Sequence, residues 1–288
     1  MKEYSNKKKL ITNGCSFTRG HFNPEGQFDS RGSWAYWLSE STDKELYNLS
    51  LGGSSNEYIA LKLISFIENQ TEDFLEDCFV IVQWTECFRQ MVWFESMLPD
   101  AWMGRRPEDG HSKWCTITAQ DFLTDPNNPL VLRSKSEVVT DPLFPFFSGV
   151  EAALVKTYFS MLSVKNYLEN NKIPYFFFDG LNDHNIEIKK IDEKNVKGYL
   201  QYSLIGYDEL DLLKGYSSDG EVRDLELINE KTISKIYDKN FYTENCYRYW
   251  LDIKEKDFSG EYVYDQHPTQ KAAKEWTSLL LNYIRDER

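Results

Sequence analysis

No long hydrophobic run occurs in this sequence, and no stretch approaches the length of a membrane-spanning helix. The five cysteines are odd in number and scattered without a CxxC pair, which argues against a disulfide framework and a structural zinc site. Positive charge is also scarce, since 33 Lys and Arg face 46 Asp and Glu and the net charge is -13. Binding to a nucleic-acid backbone rests on Lys and Arg. We therefore expect no nucleic-acid partner, no membrane partner and no metal.

The N-terminal segment lacks the apolar core of a signal peptide. Residues Met1–Lys9 are polar and basic, and only Leu10 and Ile11 follow before the polar Thr12. We expect a cytoplasmic protein on this ground. The lysines at positions 7–9 are interpreted as a solvated approach to a buried strand.

The chain has enough apolar residues for a sizeable core, with 41% hydrophobic and 15% aromatic residues among 288. Short apolar runs bounded by turn residues predict five strands. These runs are Lys9–Thr12, Leu46–Leu51, Cys78–Trp84, Ile173–Phe178 and Glu261–Tyr264. One large α/β domain is therefore predicted for residues 1–288.

Helical patterns lie between these runs. Ser54 and Glu57 have the spacing of a capping box ahead of an apolar face, and Ser148 and Glu151 repeat that spacing. A last amphipathic pattern begins at Thr269. Strands that alternate with helices predict a mostly parallel sheet between two layers of helices.

Two long segments interrupt the alternation, at about residues 94–147 and 185–260. Both are much longer than the connections of about 2–6 residues usual in α/β units. Each follows the carboxyl end of a predicted strand, which is the edge where open α/β sheets bind ligands. We interpret them as insertions that form a lid or a substrate wall.

Two short motifs at opposite ends of the chain combine the residue types needed for nucleophilic catalysis. The first strand runs into Asn13–Thr18, where Ser16 stands at a tight strand-to-helix turn and can present its hydroxyl to a base, although most turn serines are caps or loop residues. After the last predicted strand, Asp265 stands two residues before His267, which a proline follows. The pair predicts a serine nucleophile with a histidine base.

These motifs resemble the conserved blocks of the SGNH (GDSL) hydrolases. Gly14–Thr18, which reads GCSFT, resembles the first block, Asn48–Asn56 the second, and Asp265–Pro268 the closing block. The segment Ser33–Leu38, with its two tryptophans, fits the helix that often follows the serine. The resemblance covers about a fifth of the chain, and the blocks stand in the family's order.

The resemblance implies a three-layer α/β/α sandwich with a mostly parallel five-stranded, flavodoxin-like sheet. It also implies a serine esterase or acylhydrolase that needs no cofactor and acts on a small-molecule or carbohydrate ester. By the family pattern Ser16 is the nucleophile, His267 the base and Asp265 the carboxylate that orients it. The backbone N–H groups of Ser16 and Gly53 would form the oxyanion hole.

Three positions depart from the family pattern. Cys15 replaces the Asp of the first block, and Asp265 stands two rather than three residues before His267, where Tyr264 would be the family's Asp. The third block, Gly-x-Asn-Asp after the third strand, is replaced by Trp84-Thr85-Glu86-Cys87, which leaves Thr85 or Glu86 at the position of the oxyanion Asn. The segment Gly180–Asp183 spells the missing block, but after the fourth predicted strand.

Other candidate residues have two interpretations each. Cys15 is either a thiol nucleophile or a small buried side chain, and His21 either touches substrate or is an ordinary loop histidine. Arg89 is either a clamp for a substrate anion or half of a surface salt bridge. The function predicted first is ester hydrolysis, with O-acyl groups on carbohydrate suggested by the family's habits. The alternatives are a weakly active binding or assembly protein and an acyltransferase with the same triad.

Overall fold

The computed structural model describes most of the chain outside the two predicted insertions. The described residues are 2–22, 27–87, 89–93, 114–117, 150–181, 230–244, 246–255, 260–264 and 267–285. The strands are β1 (Lys9–Asn13), β2 (His21–Phe22), β3 (Phe28–Asp29), β4 (Glu45–Asn48), β5 (Cys78–Trp84), β6 (Gln90–Trp93), β7 (Trp114–Ile117), β8 (Tyr175–Asp179), β9 (Phe241–Tyr242), β10 (Val263–Tyr264) and β11 (His267–Pro268).

The helices lie between these strands and after the last of them. They are α1 (Lys2–Ser5), α2 (Ser16–Arg19), α3 (Trp34–Thr42), α4 (Asn56–Glu68), α5 (Glu72–Glu76), α6 (Val150–Asn170), α7 (Glu230–Ile236), α8 (Tyr247–Lys254) and α9 (Gln270–Arg285), with a short 3-10 helix at Ser30–Gly32. Among the described residues no helix is long and apolar enough to cross a membrane.

Five strands form the central sheet in the order β4-β1-β5-β8-β9, and every neighbouring pair is parallel. Ile11 in β1 pairs with Tyr47 on one side and with Val80 on the other, which makes β1 an interior strand. Counted along the chain, these strands have the order 2-1-3-4-5, the doubly wound arrangement of flavodoxin-like sheets. The predicted fold class is confirmed.

The fifth strand of this sheet is not the predicted one. Phe241–Tyr242 pairs with β8, whereas Val263–Tyr264 leaves the sheet and forms an antiparallel hairpin with His267–Pro268. The prediction of Glu261–Tyr264 as a sheet strand was therefore wrong. Residues 230–254 lie within the predicted second insertion, yet they supply a helix, the edge strand and a further helix of the core.

Side chains of the central strands alternate between two hydrophobic clusters, one on each face of the sheet. In β5, Val80 and Val82 face the cluster formed with α4 and α6, while Phe79 and Ile81 face the cluster formed with α3, α8 and α9. All seven residues of β5 are buried. Because β5 is covered on both faces, it is an apolar run in the sequence that only Gln83 interrupts.

Helix α4 begins one residue later than the predicted capping box implies. The Ser55 side chain accepts a hydrogen bond from the Tyr58 N–H at 3.2 Å and is the N-cap. Ser54 instead donates to the Leu51 carbonyl at 2.7 Å, which closes the turn that follows β4. The last helix begins next to its predicted start, where Thr269 accepts a hydrogen bond from the Ala272 N–H.

Candidate active site

The nucleophile turn follows β1 directly, at the carboxyl edge of the sheet. Cys15 accepts hydrogen bonds at its carbonyl from the N–H groups of Thr18 and Arg19, at 3.1 and 3.0 Å, so that Ser16 begins the short helix α2. A Cβ on Gly14 would lie 2.3 Å from the Thr18 Oγ1, and only glycine fits there. Cys15 is fully buried, whereas Ser16 is partly exposed, so this turn presents the hydroxyl and buries the thiol.

The side chain of Gln83 supports this turn from the neighbouring strand β5. Its Oε1 accepts hydrogen bonds from Thr18 Oγ1 at 2.6 Å and from Trp34 Nε1 at 3.2 Å. Its Nε2 donates to Cys15 Sγ at 3.2 Å. All of these side chains are buried. Trp34 lies in the segment Ser33–Leu38 that fits the family's helix after the serine. Its indole N–H makes one of the hydrogen bonds that hold the nucleophile turn.

The structure brings the predicted nucleophile and base together. His267 Nε2 lies 2.9 Å from Ser16 Oγ, within hydrogen-bond distance. His267 reaches this position from the β10–β11 hairpin, immediately before α9, and its side chain is partly exposed. With the neutral Nδ1–H tautomer, Nε2 accepts the serine proton, which is the geometry that a general base requires.

Two further rings fix the plane of the His267 imidazole. The ring of His21 stacks on it with centroids 3.7 Å apart and planes 9° from parallel. Phe17 meets it edge-on at 5.8 Å, and Phe17 itself packs edge-on against the buried Tyr247 at 5.5 Å. His21 lies in β2 rather than in a loop, so the interpretation as an ordinary loop histidine was wrong. The stacking joins distant parts of the chain and has no local sequence signature.

The loop after β4 lies against the nucleophile turn, as the second-block resemblance implies. The Leu49 N–H donates to the Thr12 carbonyl at 2.8 Å, and a Cβ on Gly52 would be 3.9 Å from the Ser16 Cβ. Gly53, the predicted oxyanion donor, has φ of 77°, in the region that favours glycine. The structure thus places the turn that contains Gly53 beside Ser16.

The replaced third block lies at the end of β5 and is buried. The Thr85 backbone exchanges hydrogen bonds with the Asn56 side chain, at 2.8 Å from its N–H and 3.0 Å to its carbonyl. Glu86 accepts from Arg89 Nε at 2.6 Å, and both side chains are less than one-tenth exposed. Arg89 therefore forms a buried ion pair and not the surface salt bridge that was one of its two interpretations. As a substrate clamp it stays a prediction.

Several predicted candidates fall outside the described residues. Asp265 is among them, as are the Asn and Asp of the segment 180–183. Gly180, the first residue of that segment, follows β8 and donates its N–H to the Trp84 carbonyl at 2.7 Å. A Cβ there would lie 1.9 Å from Gln83 Nε2, so this glycine makes room for the amide that supports the nucleophile turn. Within the described ranges no cluster of three or more His, Cys, Asp or Glu residues is placed to hold a metal ion.

Comparisons with known proteins give distant likenesses in three dimensions. No family model matches the chain, and no curated protein matches it in sequence. A putative GDSL-like lipase from Parabacteroides merdae has 12% identity and a TM-score of 0.42, and the alignment covers 96% of both chains. A carbohydrate esterase, whose active site is described as having divergent catalytic and non-catalytic binding functions, has 12% identity and a TM-score of 0.41. That alignment covers 98% of this chain and 70% of the esterase.

An acetyl xylan esterase from the rumen bacterium Butyrivibrio proteoclasticus has 10% identity and a TM-score of 0.39. The alignment covers 97% of this chain and 64% of that protein, so this chain spans less than two thirds of its length.

Proposed function

We propose that the chain is a serine hydrolase of the esterase or deacylase type. The observation that carries the proposal is the 2.9 Å separation of Ser16 Oγ and His267 Nε2 at the carboxyl edge of the parallel sheet. A nucleophile and a base within hydrogen-bond distance form the minimal unit for covalent acyl transfer. The supporting details are the glycine-dependent turn at Gly14 and the adjoining loop at Gly52 and Gly53.

In the proposed reaction His267 Nε2 removes the proton from Ser16 as Oγ forms a bond to the ester carbonyl carbon. The tetrahedral intermediate then expels the alcohol, which takes the proton from His267. Water, deprotonated by the same imidazole, attacks the acyl-enzyme and releases the carboxylic acid, and the proton returns to Ser16 Oγ. Asp265 is the proposed carboxylate that holds the Nδ1–H tautomer and stabilises the imidazolium.

The proposed oxyanion hole has two backbone donors, the N–H groups of Ser16 and Gly53. The family's third donor is an Asn side chain, and Glu86 stands at its place with its carboxylate held by Arg89. An ionised carboxylate donates no hydrogen bond, so it adds nothing to the stabilisation of an oxyanion. Loss of one oxyanion donor costs about 10²–10³ in rate. The site is therefore expected to hydrolyse esters more slowly than one with three donors.

The same substitution favours a second candidate, a weakly active SGNH-like protein that binds a glycan or takes part in an assembly. The retained contact between Ser16 and His267 favours catalysis over binding alone. Acyl transfer to an alcohol, as a third candidate, requires the same triad together with exclusion of water. O-acyl groups on carbohydrate are the substrate class to test first, because the family resemblance suggests them.

The proposal is tested by release of p-nitrophenol from p-nitrophenyl acetate, and of acetate from an acetylated xylo-oligosaccharide. Wild-type protein is compared with Ser16→Ala and His267→Ala, with folding checked by circular dichroism. Turnover lost in both variants supports a serine hydrolase, whereas equal rates in all three proteins would exclude one. A glycan-binding titration of folded Ser16→Ala identifies the binding candidate, and addition of an acceptor alcohol identifies an acyltransferase by the ester formed.

A further inference from the structure

The rings of His21 and His267 form a parallel stack that joins strand β2 to the β10–β11 hairpin. Their centroids are 3.7 Å apart and their planes differ by 9°. His267 bonds Ser16 Oγ through Nε2 at its ring edge, so the stack occupies a ring face and leaves that edge to the serine. Phe17 meets the imidazole edge-on at 65°. The orientation of the base is thus defined by contacts on a face and along its edges.

His21 is held in this position by a short hairpin that is attached to the segment bearing the base. In the β2–β3 hairpin His21 pairs with Asp29. The Asp29 carboxylate accepts from Gln270 Nε2 at 2.6 Å, three residues beyond His267. Arg31 donates to the same carboxylate from its backbone N–H and from Nε, each at 2.9 Å. The hairpin and the base segment are therefore linked by hydrogen bonds independent of the ring stack.

The residue before His21 must be a glycine. Gly20 has φ of 101°, and a Cβ there would lie 2.7 Å from the Asp29 carbonyl oxygen and 2.9 Å from the Ser30 Cα. Both contacts are with backbone, which cannot rotate away as a flexible side chain can. The close approach of the two strands fixes where β2 starts, at His21, five residues after Ser16. Nucleophile and stacking ring are consequently built on one short segment.

We propose that His21 is a positioning residue for the base: its ring supports one face of the His267 imidazole and holds Nε2 towards Ser16. The inference rests on the proposed function and concerns the positioning of the base at the same site. When His267 takes the serine proton, it becomes an imidazolium whose face is covered by the ring of His21. A positive charge at position 21 would instead repel the imidazolium across the stack.

Three substitutions at position 21 separate the effect of the ring from the effect of a charge. A fourth variant controls for changes in the hairpin. His21→Phe supplies a planar uncharged ring, His21→Ala removes the ring, and His21→Arg supplies a planar group with a permanent charge. Phe28→Ala is the matched control, because Phe28 lies in the same hairpin and its exposed ring lies beneath the Arg19 guanidinium. Thermal unfolding of every variant establishes that the hairpin and the fold persist.

Kinetics with a short-chain activated ester give the first readout. We expect kcat to fall about 10- to 100-fold in His21→Ala with KM unchanged, on the scale of a misplacement of about 1 Å. His21→Phe should restore most of kcat, His21→Arg should be no better than Ala, and Phe28→Ala should match wild type. A folded His21→Ala with wild-type kcat, or with a change in KM alone, would overturn the proposal.

A second readout does not depend on turnover. The chain has four histidines, so their ring C–H signals in a ¹H–¹³C NMR spectrum can be assigned by removing each in turn. Loss of the stacked ring should move the His267 signals downfield in His21→Ala and leave them near wild type in His21→Phe and Phe28→Ala. If wild type turns over no ester, the proposed function fails, and these signals alone decide the positioning role. Unmoved His267 signals in His21→Ala would refute it.

Discussion

Gln83 donates a hydrogen bond from Nε2 to the Sγ of Cys15 at 3.2 Å, and Cys15 immediately precedes the proposed nucleophile Ser16. The same amide accepts from Thr18 through Oε1 at 2.6 Å. One buried side chain on β5 therefore bonds to residues on both sides of Ser16. Because these groups are fully buried, leaving one of them without a hydrogen bond costs more free energy than it would at the surface.

Gln83→Leu should lower the free energy of unfolding by about 1–3 kcal/mol, the cost of leaving a buried polar group unpaired. The control is the double variant Gln83→Leu with Thr18→Val, which removes both partners of the shortest bond. It should lose less stability than the two single variants summed. Chemical denaturation of the four proteins measures this coupling. Strictly additive losses would mean that the bond between Gln83 and Thr18 contributes nothing.

An organophosphonate probe should modify Ser16, because Ser16 is the partly exposed hydroxyl that contacts a base. Peptide mapping should find one adduct, lost in Ser16→Ala and retained in Cys15→Ala. The thiol of Cys15 is fully buried, which keeps it from the probe. An adduct on Cys15 that survives Ser16→Ala would make the cysteine the nucleophile.

Asp265→Asn should lower kcat by about 10⁴, the scale seen when the orienting carboxylate of a triad is replaced and the wrong tautomer is held. Tyr264→Phe is the control, since it removes the hydroxyl of the residue at the family's usual spacing and should leave kcat near wild type. If Asp265→Asn is nearly silent, Asp183 and Glu86 are the carboxylates to test next. Glu86 is the weaker of the two, because its carboxylate already pairs with Arg89.

Glu86→Gln should leave kcat on a short-chain activated ester unchanged or higher, because the carboxylate faces Arg89 and donates nothing to an oxyanion. Its stability should fall by about 3–5 kcal/mol, the cost of breaking one side of a buried ion pair. The apolar double variant Glu86→Leu with Arg89→Met should recover part of that loss. A fall in kcat of about 10²-fold or more in folded Glu86→Gln would instead make Glu86 an oxyanion donor.

The sequence predicted the interior of the sheet well and its edge poorly. The strand Cys78–Trp84 was predicted with its observed bounds, because a strand covered on both faces is apolar at nearly every position. The edge strand Phe241–Tyr242 has only two residues in a charged segment, too few to establish a period. Burial in the sheet, rather than local preference, makes those two residues a strand.

The candidate site divides in the same way. Ser16 and His267 were predicted because each lies in a short motif next to a strand or helix boundary. The stack of His21 on His267 depends on how distant segments pack, and the burial of the Glu86–Arg89 pair depends on packing around the end of β5. Such contacts leave no periodicity in the sequence. The role of the buried Gln83 amide was not predicted either, because Gln83 is a single polar residue within the apolar run of β5.

The hydrogen bond between Ser16 and His267 joins residues 251 positions apart. The ribosome therefore incorporates Ser16 251 residues before it incorporates His267. A nascent chain presents a serine without an activating imidazole until position 267 has been synthesised, and a fragment that stops before position 267 has the same defect. Closing so long a loop is entropically costly, so acquisition of activity should coincide with docking of the C-terminal helix on the finished sheet.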